Sequence, residues 1–203
     1  TLLKERDGWS VFNGAGSTAK TWLSAAAPEG LGQPVSGIAT IDEPSLAGVR
    51  LFLLVVDIES NGAMPELSDA EAQALMTFVL HGGRLAVFYG YRATYPKALV
   101  AKFGVDMTQV CQDAGTLRLN AQAPLALSRG PFGALPDSLT WVRNCHENLT
   151  PLADSVAGSK AVPIATSNLG HNEIVLIPPG ALVAGSGPVL FFADWHYSYS
   201  FGE

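Results

Sequence analysis

Side chains that could bind a ligand or carry out chemistry follow three apolar runs of the chain. The runs are Leu51–Val56, Leu85–Tyr89 and Pro188–Ala193. The side chains that follow them are Asp57, Glu59, Tyr91, Arg92, Asp194, Trp195 and His196. Carboxylates with an imidazole suit a divalent cation or general acid–base work, whereas a phenol and a guanidinium suit the binding of a peptide or a sugar. These side chains form one candidate site if the three runs are neighbouring strands.

The segment between the first two runs predicts how these strands are connected. Continuous apolar runs are typical of strands that are buried on both faces of a sheet. Ser68, three residues before Glu71, predicts a capping box at the start of a helix, and Gly82-Gly83 predicts where the helix stops. A helix between two such strands implies a parallel crossover, and parallel sheets place their sites at the carboxyl ends of the strands.

The whole chain is predicted to form a single α/β domain over residues 1–203. The expected architecture is a flavodoxin-like, largely parallel sheet that is flanked by helices and carries a β-rich C-terminal extension. From Val105 onward, short β-like segments alternate with Pro and Gly turns, which indicates an irregular β-rich insertion over residues 105–170. Two segments, Glu173–Ile177 and Pro188–Ala193, are apolar enough to return to the core.

The segment that contains the predicted helix and the strand after it resembles the class I glutamine amidotransferase-like superfamily. That superfamily includes ThuA-like proteins and non-enzymatic domains related to gliding and intraflagellar-transport proteins. The resemblance rests on the residues from Leu67-Ser68-Asp69-Ala70-Glu71 through Phe78-Val79 to Gly82-Gly83-Arg84-Leu85. A weaker similarity extends from Gly187 to Asp194, which resembles the last core strand of those proteins. The resemblance implies the fold more than an activity.

In catalytic members of that superfamily, the strand matching Leu85–Tyr89 leads into a Gly-x-Cys-x-Gly elbow that carries the nucleophile. Here the elbow position contains Gly90-Tyr91-Arg92-Ala93, and a phenol with an ordinary pKa near ~10 is a poor nucleophile. His196 falls close to the family's histidine, but Ser198 stands where the family has a glutamate. The resemblance therefore implies that this chain is not a glutaminase.

Two function classes remain open from the sequence. The first is a non-catalytic binding or assembly domain that recognises a protein or glycan partner and requires no cofactor or metal. The second is a hydrolase or metal-assisted enzyme that uses Asp57, Asp194 and His196 at the strand ends. The first is favoured because the elbow lacks a nucleophile.

The end of the chain carries an aromatic stripe. Trp195, Tyr197, Tyr199 and Phe201 alternate with small or polar residues, so an extended chain presents all four rings on one face. Such a face either packs against the rest of the protein or forms a stacking platform for a sugar or peptide.

Cys111 and Cys145 are the two cysteines of the chain. A bridge between them would contribute roughly 3–4 kcal/mol in the chain-entropy model and would favour a secreted or periplasmic location. The alternative is two free thiols in a cytosolic protein. The adjacent pair Cys145-His146 is disfavoured as a catalytic or metal pair, because both side chains would have to converge on one point.

Charge and hydropathy exclude two classes of partner. The net charge is −6, and the twelve basic residues are scattered singly, whereas nucleic-acid binders cluster Lys and Arg. No apolar stretch reaches the ~18 residues that a membrane-spanning helix needs. The sequence therefore predicts neither nucleic-acid binding nor a membrane span.

Overall fold

The computed structural model describes ten segments of the chain. They are residues 4–6, 35–38, 40–55, 67–89, 97–111, 115–124, 129–130, 133–134, 138–141 and 145–193. The fold is that of these ten segments.

The described segments contain three α-helices and thirteen strands. The helices are α1 (Glu43–Leu46), α2 (Asp69–Leu80) and α3 (Lys97–Lys102). The strands are β1 (Lys4–Arg6), β2 (Val35–Ile38), β3 (Leu51–Val55), β4 (Arg84–Phe88), β5 (Val105–Cys111), β6 (Gly115–Leu119), β7 (Arg129–Gly130), β8 (Gly133–Ala134), β9 (Ser138–Trp141), β10 (Cys145–Pro151), β11 (Val162–Ser167), β12 (Asn172–Ile177) and β13 (Val189–Phe192).

The largest sheet has seven strands in the order β3-β4-β13-β12-β11-β6-β9. Its first three strands pair in parallel, with Leu53 opposite Ala86 and Val87 opposite Phe191. The side chains of Val87 and Phe191 are completely buried. The predicted α/β class and the parallel pairing of these three strands are therefore confirmed.

The other four strands of this sheet are antiparallel, so the sheet is mixed and the prediction of a largely parallel sheet is wrong. Short connections explain two of these four antiparallel pairings, β11 with β12 and β12 with β13. The four residues 168–171 join β11 to β12, which is too short for the crossover that parallel strands need. Residues 178–188 likewise bring β12 back into β13 without an intervening helix. Short connections fix antiparallel pairing here.

Helix α2 begins with the predicted capping box. The N–H of Glu71 donates to Ser68 Oγ (3.3 Å), and the N–H of Ser68 donates to Glu71 Oε2 (2.9 Å). The other carboxylate oxygen, Glu71 Oε1, accepts from the N–H of Ile41 (3.1 Å). One buried carboxylate thus caps the helix and fastens the segment that leads into α1.

The main core lies between the parallel strands and the helices. Helix α2 buries Ala72, Leu75 and Val79 completely, and these contribute to the same cluster as Leu54 and Val87 of the sheet. A second cluster lies under the antiparallel strands and contains Leu117, Ile164, Ala165, Ile174 and Leu176. Within the described residues, no helix has the length and apolar character needed to cross a membrane.

A two-stranded antiparallel ribbon of β5 and β10 packs beside the large sheet. The sequence did not predict these two strands. Its register pairs Met107 with Leu149, both buried, and pairs Cys111 directly with Cys145. Opposite residues of an antiparallel pair have Cα atoms about 4.5–5.5 Å apart, within the range of about 4.4–6.8 Å that a disulfide spans. The backbone therefore suits the predicted bridge.

Candidate metal centre at the carboxyl edge of the sheet

Strands β4 and β13 end side by side at the carboxyl edge of the parallel strands. Phe88 and Phe192, the last residues of the two strands, stack with ring centroids 4.2 Å apart and planes 4° from parallel. The N–H of Tyr89 donates to the carbonyl of Phe192 (3.1 Å), so the pairing continues one residue beyond β4. This edge is where α/β sheets place ligands.

Strand β10 reaches the same edge through Ala193, the residue after β13. The N–H of Glu147 donates to the carbonyl of Ala193 (3.1 Å), and the N–H of Ala193 donates to the carbonyl of Glu173 (2.8 Å). Ala193 therefore lies between the backbone of β10 and the backbone of β12. Residues near the start of both strands are brought to the carboxyl edge.

Two asparagines fasten β10 to β12 directly. The N–H of Asn172 donates to Asn148 Oδ1 (2.9 Å), and Asn172 Nδ2 donates to the carbonyl of Leu149 (2.9 Å). Asn148 lies two residues after His146, and Asn172 lies between His171 and Glu173. These hydrogen bonds fix the position of His146 relative to His171 and Glu173.

The turn before β12 is equally well fastened. The N–H of Ser167 donates to the carbonyl of His171 (2.8 Å), and the N–H of His171 donates to Ser167 Oγ (3.1 Å). Gly170 has φ of +86°, a left-handed conformation that favours glycine. The N–H of Asn168 donates to the carbonyl of Thr116, which ties the turn to β6. His171 is thus held on an ordered backbone.

These contacts bring together His146, His171 and Glu173. His146 Nε2 lies 3.0 Å from Glu173 Oε1, and both side chains are almost completely buried. The rings of His146 and His171 have centroids 5.8 Å apart at an angle of 50°, and His171 is half-buried. One nitrogen of each histidine and one carboxylate oxygen all lie within 4.8 Å of one another. Imidazole nitrogens and a carboxylate oxygen are ligands of zinc and related ions.

Tyr89 and Glu147 form the other polar part of this edge. Both side chains are buried, and the Tyr89 hydroxyl has no hydrogen-bond partner among the described residues. Burial, and then the charge of Glu147, hold the pKa of Tyr89 well above its ordinary value of 10.0. Neighbouring side chains of a strand point to opposite faces, so Glu147 and His146 of β10 lie on opposite faces of the ribbon.

The site residues expected from the sequence lie outside the described segments. They are Asp57, Glu59, Tyr91, Arg92, Asp194, Trp195 and His196. The aromatic stripe up to Phe201 lies outside them too. Tyr89 and Ala193, which shortly precede these residues in the sequence, are described. Both lie at the carboxyl edge, where β4 and β13 end side by side. The predicted site therefore remains a prediction. The structure describes the ends of β4 and β13 that precede it in the sequence.

The sequence did not predict the cluster of His146, His171 and Glu173. In the sequence His146 stands out only beside Cys145, and two adjacent side chains are disfavoured as a site. A usable signal was the spacing of His171 and Glu173, since residues two apart in an extended chain share one side. The sequence contains no local signal that β10 lies beside β12, so the third member of the cluster could not be found.

A cleft of about 260 Å³ opens elsewhere, between α1 and α2. Its lining includes Glu43, Val49, Phe78 and His81, which lie at the amino ends of β3 and β4 or on the two helices. The cleft is therefore separate from the cluster at the carboxyl edge.

Comparison with known proteins identifies the fold. No protein-family model and no curated protein matches the chain. Among solved structures, the N-terminal domain of mmIFT52 aligns over 96% of this chain and 86% of its own, with 15% identity and a TM-score of 0.62. A ThuA-like protein from Bacteroides uniformis aligns over 100% and 84%, with 10% identity and a TM-score of 0.55.

A GMP synthase component from Thermoplasma acidophilum also aligns, over 99% of this chain and 91% of its own. Its identity is 13% and its TM-score 0.51. At such identities the similarity is one of fold. Together with the strand–helix–strand unit of β3, α2 and β4, these similarities show that the chain has the class I glutamine amidotransferase-like fold.

Proposed function

We propose that this protein is a non-catalytic binding or assembly domain that recognises a protein or glycan partner at the carboxyl edge of β4 and β13. The observation that carries the proposal is the sequence that follows β4. Strand β4 is paired in parallel on both sides, and Tyr89 at its end is completely buried. The residues that come next are Gly90, Tyr91 and Arg92, which offer no thiol or aliphatic hydroxyl and only a weakly nucleophilic phenol.

The two cysteines support the same proposal. Both occur on the ribbon of β5 and β10, where their backbones lie opposite each other. Neither lies in the residues directly after β4, so neither takes the nucleophile's position in the chain. The similarity to the mmIFT52 domain adds support, since intraflagellar-transport-related domains of this fold are non-enzymatic.

The residues at the elbow position have the chemistry of a binding surface. A tyrosine ring offers a rigid aromatic face, and a guanidinium offers forked donors that match a carboxylate or a pair of sugar hydroxyls. We therefore propose that Tyr91 and Arg92 contact the partner, with Asp57, Glu59, Asp194, Trp195 and His196 as further candidates around them.

A photo-crosslinking amino acid at position 91 tests this proposal, with the same amino acid at position 84 as the control. Arg84 is exposed at the amino end of β4, whereas position 91 comes after the carboxyl end of that strand in the sequence. We expect a specific adduct from position 91 alone. A mass shift that a glycosidase removes identifies a glycan partner, whereas tryptic peptides foreign to this chain identify a protein partner.

The captured partner is then titrated against Arg92→Ala and Arg84→Ala. We expect Arg92→Ala to weaken binding by about tenfold or more, and Arg84→Ala by less than about twofold. Equal effects of the two substitutions, or adducts from position 84 alone, would contradict a binding surface at the carboxyl edge.

A further inference from the structure

We propose that His146, His171 and Glu173 bind one divalent transition-metal ion of the zinc class. Two imidazoles and one carboxylate are an established ligand set for zinc, and the described residues leave one of four tetrahedral positions for a water molecule. Nitrogen donors disfavour magnesium and calcium, which prefer oxygen ligands. The site is independent of the proposed binding function, because it uses none of the residues at the elbow.

The distances suit such an ion with small adjustments. Bonds of about 2.1 Å at tetrahedral angles place neighbouring ligand atoms about 3.4 Å apart. His146 Nε2 and Glu173 Oε1 are 3.0 Å apart, and the three ligand atoms all lie within 4.8 Å of one another. His171 is half-buried and sits in a turn, so its ring has more room to adjust than the other two side chains. An ion between the three would separate the first pair slightly and draw in His171.

Burial favours a metal site at this cluster. The side chains of Glu173 and His146 are almost completely buried, and the imidazole of His171 lies close to both. Buried polar groups of this kind are paired or coordinate metals, and a divalent ion would use all three side chains as ligands at once.

The backbone holds the ligands in place before any ion binds. The hydrogen bonds of Asn148 and Asn172 align β10 with β12, and Ser167 holds the turn that carries His171. Ordered backbone of this kind is what a metal site needs around its ligands. The ion would join the ribbon of β5 and β10 to the large sheet, so metal binding should raise the stability of the fold.

The test uses the untagged full chain, stripped of metal with a chelator and then dialysed against zinc, with bound metal measured by mass spectrometry. We expect one zinc per chain and a melting temperature that rises with zinc concentration, but not with magnesium or calcium. His171→Gln should weaken zinc binding by at least ~100-fold, since even outer-shell changes cost 10–100-fold. His81→Gln is the matched control, because His81 is exposed at the end of α2 and far along the chain from the cluster.

Two further measurements keep the proposal open to rejection. Far-UV circular dichroism checks that His171→Gln is folded, and Glu173→Gln provides a second variant of nearly the same shape. Cobalt in place of zinc should give the visible bands of a tetrahedral nitrogen and oxygen site without a thiolate charge-transfer band. Substoichiometric zinc, unchanged binding in His171→Gln, or loss of binding in Cys145→Ser with a thiolate band would overturn the proposal.

Discussion

His146 Nε2 lies 3.0 Å from Glu173 Oε1, although the two residues belong to strands of different sheets. His146 is on the ribbon of β5 and β10, and Glu173 is on β12 of the large sheet. The contact is therefore a polar tie between two parts of the fold, made where both side chains are removed from water.

Removing Glu173 should destabilise the protein strongly. Loss of one member of a buried polar pair typically costs about 1–3 kcal/mol, because the remaining polar group is left buried without its partner. We expect Glu173→Ala to lower the free energy of unfolding by about this amount in urea titrations. Asp154→Asn, at an exposed position, should change it by less than about 0.5 kcal/mol. A loss below about 1 kcal/mol in Glu173→Ala would show that the pair carries little of the stability.

The Tyr89 hydroxyl is buried without a hydrogen-bond partner in the part of the chain that the structure describes. A buried hydroxyl without a partner loses its hydrogen bonds to water and forms none in the protein, which costs about 1–3 kcal/mol. We expect Tyr89→Phe to raise the free energy of unfolding by about 1 kcal/mol at neutral pH. A decrease of that size in a urea titration would show that the hydroxyl is hydrogen-bonded.

The same residue predicts a dependence on alkaline pH. Burial, followed by the charge of Glu147, raises the pKa of folded Tyr89 well above 10.0. In the unfolded chain the tyrosine ionises near pH 10, so above that pH the folded state binds more protons and stability falls as pH rises. Below pH 10 the contribution is fully present. Tyr89→Phe should remove part of the loss of stability above pH 10, and an unchanged profile would contradict the assigned shift.

Cys111 and Cys145 lie opposite each other in the ribbon, and we predict that they are bridged in protein made in an oxidising compartment. Titration of free thiols in unfolded, unreduced protein should find none. Reduction should lower the free energy of unfolding by roughly 3–4 kcal/mol. Two reactive thiols per chain would contradict both the bridge and the expectation of a secreted or periplasmic location.

Glu71 should contribute more to the free energy of unfolding than an ordinary helix-capping residue does. Its two carboxylate oxygens accept hydrogen bonds from the N–H groups of Ser68 and Ile41, which lie 3 and 30 residues away. Glu71→Ala removes both acceptors from buried or half-buried donors, so we expect a loss of about 2–4 kcal/mol in chemical unfolding. Gln73→Ala, at an exposed position of the same helix, should have an effect below about 0.5 kcal/mol. Equal effects of the two substitutions would show that the Ile41 contact is dispensable.

The elements that were predicted correctly are those with local signals. The capping box of Ser68 and Glu71, the end of α2 before Gly82 and the buried strands around it are encoded in a few consecutive residues. The contact between Glu71 and Ile41 was not predicted, because it joins residues 30 positions apart. Local sequence determines where the helix begins and ends. The contact of Glu71 with Ile41 depends on the packing of the whole domain.

The second half of the chain shows the limit of sequence patterns more clearly. Val105 and Met107 alternate with exposed Asp106 and Thr108, which is a strand pattern, yet this segment was predicted to be part of an irregular insertion. The mixed sheet and the cluster of His146, His171 and Glu173 both depend on which strands become neighbours. That choice is made by long-range packing and short connections, and no single segment of the sequence encodes it.

We propose that the protein has the glutamine amidotransferase-like fold without the amide-cleaving chemistry of the fold's catalytic members. The most direct measurement is ammonia release from glutamine by the purified full chain, compared with Cys111→Ser and Cys145→Ser. We predict no release above the buffer background in any of the three proteins, because the residues directly after β4 include no thiol. Release that is abolished by either cysteine substitution would contradict the claim. Hydrolysis of another substrate that is lost in Asp194→Ala or His196→Ala would contradict the non-catalytic assignment and support a hydrolase.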